Sequence, residues 1–593
     1  MEPHSEYGTR LRNRQARAQR YGTLDERYSQ ARLALAAVSV VLGWLIFAKH
    51  LMPLWVLALP VGGFIVLVIA QEKLRHLRRR AERAADFYLR GVERLDGKWP
   101  GRGFCGEKFI DEHHPYAQDL DLFGPGSLFE LLCTGRTLAG QRTLAHWLLH
   151  PAAPAEIRAR QQAVDELRDR LDLREELAVM GEDVRRGVHA GALPRWGEAP
   201  PLLDSNAARA VAAVLSGLVA AAFVVVVGSV VKLWVFLAAL AAVTLFGAYY
   251  RMKVLQVIAA VEQPAHDVGI LSEVLARLER EQFSSPRLVE LQRRLESEGE
   301  RPSKRIARLN RLVELLDSRD HLLMRLIGPP LLWSTQVAFA VELWRKTTGP
   351  SLRGWLRAVG EIEALNSLAG YAFEHPEDPF PVLVEDAVCF EGDGLGHPLI
   401  PEPKCVRNDV HLNHNRQVLL VSGSNMSGKS TLLRTIGTNA VLALAGAPVR
   451  AVSLRISRLN VGASIRITDS LQSGVSRFYA EITRLRQLMD MTGDGSALLF
   501  LLDELLHGTN SHDRRIGAEA IVRRLVEQRA IGLVTTHDLA IAHIEDDLAP
   551  RVVNVHFQDH LEDGEMKFDY RLRPGVVEHS NAIELMRSVG LEV

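Results

Sequence analysis

The run Gly423-Ser424-Asn425-Met426-Ser427-Gly428-Lys429-Ser430, followed by Thr431, has the residue types and spacing of a phosphate cradle. Glycines at the two ends let the backbone turn its N–H groups inward onto phosphate oxygens, and a helix starting there adds its partial positive charge. Lys429 is placed to reach the β- and γ-phosphates of a nucleoside triphosphate, and the Ser430 hydroxyl to ligate Mg²⁺. The chemistry this pattern supports is binding and hydrolysis of ATP.

About seventy residues further on, the apolar run Ala497-Leu498-Leu499-Phe500-Leu501-Leu502 reads as a strand that ends in the adjacent carboxylates Asp503 and Glu504. Asp503 is expected to hold Mg²⁺ directly or through water, and Glu504 to orient or deprotonate the attacking water. For one metal to bridge both motifs, they are expected on neighbouring parallel strands. A third apolar run, Ile531-Gly532-Leu533-Val534-Thr535-Thr536, ends at His537, where a side chain can sense the γ-phosphate.

These residues need strands that end at one edge and helices that begin there. Gln417 to Val421 is a short β-branched run leading into the glycine-rich loop, and Thr431 to Leu444 is helix-forming. After the proline-rich stretch Glu374 to Pro381, short β-type runs alternate with helices. Residues 376–593 therefore read as an α/β P-loop NTPase domain, and the chain before them as mostly α-helical.

The 593 residues allow three or four modules at roughly 150 per domain. Lys+Arg and Asp+Glu both total 71, so overall charge points to no polyanionic partner. Cys105, Cys133, Cys389 and Cys405 are scattered, which excludes a disulfide framework and a zinc site by spacing. The first thirty residues are polar and arginine-rich, unlike a secretory signal.

Residues 33–48 and 51–70 carry no charged side chain, and neither do 210–231 and 233–250, which Lys232 alone separates. Both pairs read as helical hairpins crossing a lipid bilayer; the alternative is that they are core helices of a soluble protein. Basic residues outside them, such as Arg78-Arg79-Arg80, Arg209, Arg251 and Lys253, place both termini and the α/β domain in the cytoplasm of a multi-pass inner (cytoplasmic) membrane protein. The resulting segments are 1–78 with the first hairpin, 79–208 helical, 209–253 the second hairpin, 254–375 helical, and 376–593.

The P-loop with Asn425-Met426 inside it, Asp503-Glu504 followed by Gly508-Thr509-Asn510-Ser511, Thr535-Thr536-His537 and Asn554-Val555-His556 together resemble the ATPase domain of the MutS family. Upstream, Gly126 to Leu132, Thr137 to Leu144 and Trp147 to Pro151 are similar to the opening of that family's core and lever region. The resemblance covers roughly residues 115–593. It implies that Ser473, Gly474 and Ser476, in the segment Asp469 to Phe478, contact a γ-phosphate held by the opposite subunit. Asn510 and Asp513 would then lie in a loop communicating across that interface, and His556 near the adenine. It also implies a homodimer through the ATPase domains.

The chain departs from the family's pattern ahead of the core, where no mismatch-recognition domain or Phe-x-Glu element is found, and in the lever, where the second hairpin occupies the place of the DNA clamp. Three functions follow as expectations: a membrane-embedded ATPase coupling head closure to lever movement in DNA repair or recombination; a membrane-tethered DNA-binding protein without mismatch recognition; and an ABC-type transporter, the weakest because four spans offer almost no polar residue to line a path.

Overall fold

A computed structural model describes residues 2–49, 51, 53–180, 192–227, 233–262, 265–295, 300–320, 322–424, 426–466, 477–494, 497–562 and 565–577. The chain opens with two long antiparallel helices, Pro3–Phe47 and Ala58–Leu95, joined through the short 3₁₀ turn Leu54–Leu57. At 1.5 Å per residue the first is about 68 Å long, far more than a bilayer core requires. Its apolar second half is solvent-facing, with Val40 72% and, on its partner helix, Leu59 77% exposed.

The polar halves of this pair form a stalk. Arg32 donates to Gln71 at 3.0 Å, and Gln71 and Arg75 both donate to Asp25. At the foot Tyr7 is buried against Gly91, where a Cβ would lie 2.5 Å from the tyrosine ring. Tyr7 Oη donates to Glu374 at 3.2 Å, and Arg94 Nε reaches the same carboxylate at 2.8 Å. Glu374 ends the helix Leu352–Glu374, so the stalk is clamped to the last turn before the α/β region.

That helix is the spine of the helical part. It packs on Leu138–Leu149 and Pro154–Arg168 so closely that a Cβ on Gly360 would lie 2.8 Å from the Ala139 carbonyl carbon. Buried Glu363 accepts from the Thr137 backbone N–H and hydroxyl, while Thr137 also caps its own helix. Farther out lie Ala265–Leu278, Pro286–Leu295, Pro302–Asp317 and Trp333–Thr348, with the apolar helices Asn206–Val227 and Leu233–Glu262 between core and lever in sequence. Among the described residues, four helices are long and apolar enough to cross a membrane: Pro3–Phe47, Trp55–Leu95, Asn206–Val226 and Leu233–Val261.

Among the described residues the α/β region holds ten strands: β1 (Val382–Val384), β2 (Phe390–Leu395), β3 (Asn408–Leu412), β4 (Val418–Ser422), β5 (Ser453–Ser457), β6 (Leu459–Ser464), β7 (Ala497–Leu502), β8 (Ile531–Thr536), β9 (Val552–Glu562) and β10 (Glu565–Pro574). They form a small sheet, β1-β5-β2-β3, and a large one, β10-β9-β4-β8-β7-β6. In the large sheet all pairs are parallel except β9 with β10. Its central strands β4 and β8 are buried throughout, which explains their unbroken apolar sequences.

The sheet order corrects one expectation. The strand before the P-loop (β4) and the strand ending in Asp503-Glu504 (β7) are not neighbours, because β8 lies between them. The helical part also reaches into this region. Asp119 accepts from the Ile465 and Arg466 N–H groups, the Pro115 carbonyl accepts from Ala463 N–H, and a Cβ on Gly437 would meet Leu120 at 2.5 Å.

Candidate active site

Strand β4 ends at Ser422, and Gly423 (φ 151°) and Gly428 (φ 102°) take the positive φ values that bring the loop round to the helix Lys429–Ala445. Met426 also sits at φ 69°, with its side chain exposed. Lys429 Nζ donates to the Gly423 and Ser424 carbonyls, each at 2.8 Å. Burial pushes its pKa below the ordinary lysine value, against the opposing pull of Glu504 and Asp503. Ser424 Oγ and Ser427 Oγ are buried without a hydrogen-bond partner. Two orphan hydroxyls and an ammonium folded back on its own loop are the groups an incoming phosphate would satisfy.

The Ser430 hydroxyl donates to Asp503 Oδ2 at 2.5 Å, so P-loop and acidic strand meet although β8 separates their strands. Thr535 of β8 supplies the link: its hydroxyl donates to Asp503 Oδ1 at 2.5 Å and accepts from the Glu504 N–H at 2.9 Å. Glu504 itself adopts φ 49° and Leu506 φ 57°. The chain curls after the strand and returns His507 to Glu504, with Nε2 3.5 Å from Oε2. His537 approaches the other oxygen, Nδ1 lying 3.6 Å from Oε1, and the two imidazoles are 5.4 Å apart.

A cleft of about 460 Å³ opens beside the loop. Lys429, Ser430, Thr431 and Glu504 are among its polar lining residues, and Leu395, Ile400, Val406, Phe557 and Tyr570 among its apolar and aromatic ones. Tyr570 leans on the loop, its ring 3.1 Å from where a Gly428 Cβ would stand. Asn408 fixes it by donating to the Tyr570 carbonyl at 2.9 Å and accepting from Leu572 N–H at 2.8 Å, across a bulge in β10. His397 on the cleft wall is driven down to about pKa 4 by burial, aided by the Arg434 charge.

His556 sits in β9 opposite Ser422, and its Nδ1 faces the Gly575 carbonyl at 3.0 Å. Successive strand residues face opposite sides, and Phe557 is the one on the cleft wall. Asn510 caps the helix Ser511–Glu527 by accepting from Asp513 N–H at 2.9 Å, and its amide donates to the Asp513 carboxylate. Asn425, Ser473, Gly474 and Ser476 lie outside the described residues.

His507 and Tyr570 escaped the sequence reading. His507 stands three residues after Glu504, a separation that means nothing until two left-handed residues bend the chain. Tyr570 comes from a strand 142 positions beyond Gly428, an offset of 570 minus 428 with no local signature.

The sequence that builds this site has counterparts elsewhere. Family models match at two overlapping places, MutS domain III over residues 117–491 and MutS domain V over residues 419–592. The chain belongs to the MutS family. Its mixed α/β region corresponds to MutS domain V, the ATPase domain of that family. The helical region corresponds to the MutS domain III segment.

Among curated proteins, the chain is 33% identical over 242 residues to "DNA mismatch repair protein MutS 2" of Halobacterium salinarum, 40% of this chain and 27% of that protein. It is 33% identical over 246 residues to "DNA mismatch repair protein MutS" of an Exiguobacterium species, 40% of this chain and 28% of the relative. Similarity to "Endonuclease MutS2" of Thermus thermophilus is 32% over 203 residues, 33% of this chain and 25% of the relative. The chain thus spans only about a quarter of the length of these MutS relatives.

Proposed function

We propose that the protein is a membrane-anchored MutS-type ATPase in which two ATPase domains close on ATP and move helical levers joined to the bilayer. The observation that carries this reading is the clamp of Tyr7 and Arg94 on Glu374, which makes the apolar-tipped stalk continuous with the spine helix leading into the ATPase domain.

At the site, residues 423–431 cradle the phosphates, with Lys429 leaving its two carbonyls for the β- and γ-phosphate oxygens. Ser430 and Asp503 are the residues that would hold Mg²⁺, which offsets phosphate charge when bound; their 2.5 Å contact is consistent with such a place. Glu504 positions the attacking water and takes its proton, and His537 senses the γ-phosphate. The base stacks on the apolar lining of the cleft, near Phe557 and the neighbouring β9 residue His556.

Ser473, Gly474 and Ser476 complete the site of the opposite subunit in a homodimer. Both hairpins span the inner membrane, with the ATPase domain and both termini in the cytoplasm. ATPase rate per chain, measured over a dilution series in detergent, is expected to fall as the dimer dissociates. A rate independent of concentration with a monomeric protein throughout would overturn the composite site.

The relatives' names favour a role in DNA repair or recombination. Turnover that rises with duplex or branched DNA at low salt supports it, and absence of any stimulation or retention on DNA removes it.

A further inference from the structure

Between the lever helices Pro302–Asp317 and Trp333–Thr348 lies an apolar segment with a single charge, Arg325: Leu-Leu-Met-Arg-Leu-Ile-Gly-Pro-Pro-Leu-Leu-Trp, residues 322–333. Residues Leu322–Ile327 make a short helix, and the chain turns through Gly328 to Leu332. The turn docks into the groove of the second apolar hairpin. Leu332 is 5% exposed, in one cluster with Ala212, Val219 and Val243, and a Cβ on Gly247 would meet it at 3.2 Å.

The contact lies inside the charge-free stretch. Gly247 is four residues before Arg251 and Ser216 seven beyond Arg209, which at 1.5 Å per residue is about 6–11 Å from the last charges. Irregular backbone at such a depth survives only where its polar groups are bonded. Here the Leu331 carbonyl accepts from Ser216 Oγ and from Gln336 Nε2, both at 2.8 Å. The N–H groups of Gly328, Leu332 and Trp333 bond to Met324, Pro329 and Gly328 carbonyls, and Pro329 and Pro330 have no N–H to satisfy.

The opposite side of the segment is apolar and uncovered: Leu326 is 72% and Ile327 43% exposed. The hairpin that the turn docks on is itself apolar and exposed, with Leu218 54% and Leu245 73% exposed. We infer that residues 322–333 form a wedge of the lever that inserts into the acyl region of the adjoining leaflet, with Leu326 and Ile327 against lipid. Arg325 extends its stem to the headgroups. The lever then meets the bilayer through a surface of its own, in addition to the hairpin. This inference rests on the membrane-anchored reading.

Single spin labels separate the two ideas. Leu326→Cys, Ile327→Cys, Leu218→Cys in the hairpin and Arg308→Cys on the lever are each made in full-length protein whose four native cysteines are replaced and whose ATPase is retained. Each is reconstituted in phosphatidylcholine vesicles. The ratio of oxygen to nickel-chelate collision rates is expected to be several-fold higher at 326, 327 and 218 than at 308. A lipid-like ratio at 218 with water-like ratios at 326 and 327 overturns the wedge and leaves the anchor standing. Water-like ratios at 218, 326 and 327 together overturn both.

Discussion

The hydroxyl of Thr535 donates to Asp503 Oδ1 at 2.5 Å while accepting from the Glu504 backbone N–H at 2.9 Å. One β8 side chain therefore holds the acidic pair between two strands that do not touch the P-loop strand in the same way. Thr535→Val keeps the shape of the side chain and leaves the Glu504 N–H without its acceptor. The expected loss is about 1–3 kcal/mol of stability, read by urea denaturation, with a lower turnover at saturating ATP.

In the proposed mechanism Glu504 takes a proton from the attacking water. Glu504→Gln is expected to lower ATP turnover about 10²-fold or more while nucleotide binding, followed with a fluorescent analogue, persists. Lys429→Ala should instead weaken binding itself, because the charge facing the loop carbonyls is gone. Wild-type turnover in either variant would refute the site.

The foot of the stalk is an ion pair taken out of water, with the Glu374 side chain 1% exposed. Glu374→Ala strands Arg94 and removes the Tyr7 acceptor. A loss of about 3–5 kcal/mol is expected, and limited proteolysis should then cut the stalk from the spine helix.

His397 has its proton affinity lowered to about pKa 4, from 6.5, by burial. An unfolded chain binds this proton at higher pH than the folded one, so the contribution is fully present above pH 6.5 and is lost as pH falls toward 4. The loss approaches about 3 kcal/mol once both forms are protonated. His397→Asn should show a shallower decline in denaturation midpoint between pH 7 and pH 4.5 than the wild type.

Gly532 lets β8 run close to β7, since a Cβ there would fall 2.1 Å from the Phe500 carbonyl oxygen. That atom is backbone and cannot swing aside. Gly532→Ala is expected to cost about 1–3 kcal/mol or more, seen as a lower melting temperature and reduced soluble yield.

The parts legible in the sequence were those written in contiguous residues. Glycine and lysine spacing marks Gly423 to Ser430, and an apolar run ending in two carboxylates marks Asp503 and Glu504, because each motif's chemistry and its strand lie within ten residues. Sheet order was not legible. Both β4 and β8 are fully buried apolar strands, and such runs carry no register that says which lies in the middle. Nor was the His507 contact, which depends on left-handed φ at Glu504 and Leu506, residues with side chains that ordinarily avoid it. The alternation along β9 that turns Phe557, and not His556, to the cleft needed the strand's facing, which only its partners define.

The bond between Tyr7 and Glu374 joins residues 367 positions apart. During synthesis the first helix leaves the ribosome long before its acceptor exists. On the membrane-anchored reading proposed above, its apolar half enters the bilayer while the polar half still lacks a dock, and the clamp closes only after the spine helix has been made. Insertion on that reading precedes mechanical locking, and a chain interrupted before residue 374 would leave an unlatched stalk for quality control to recognise.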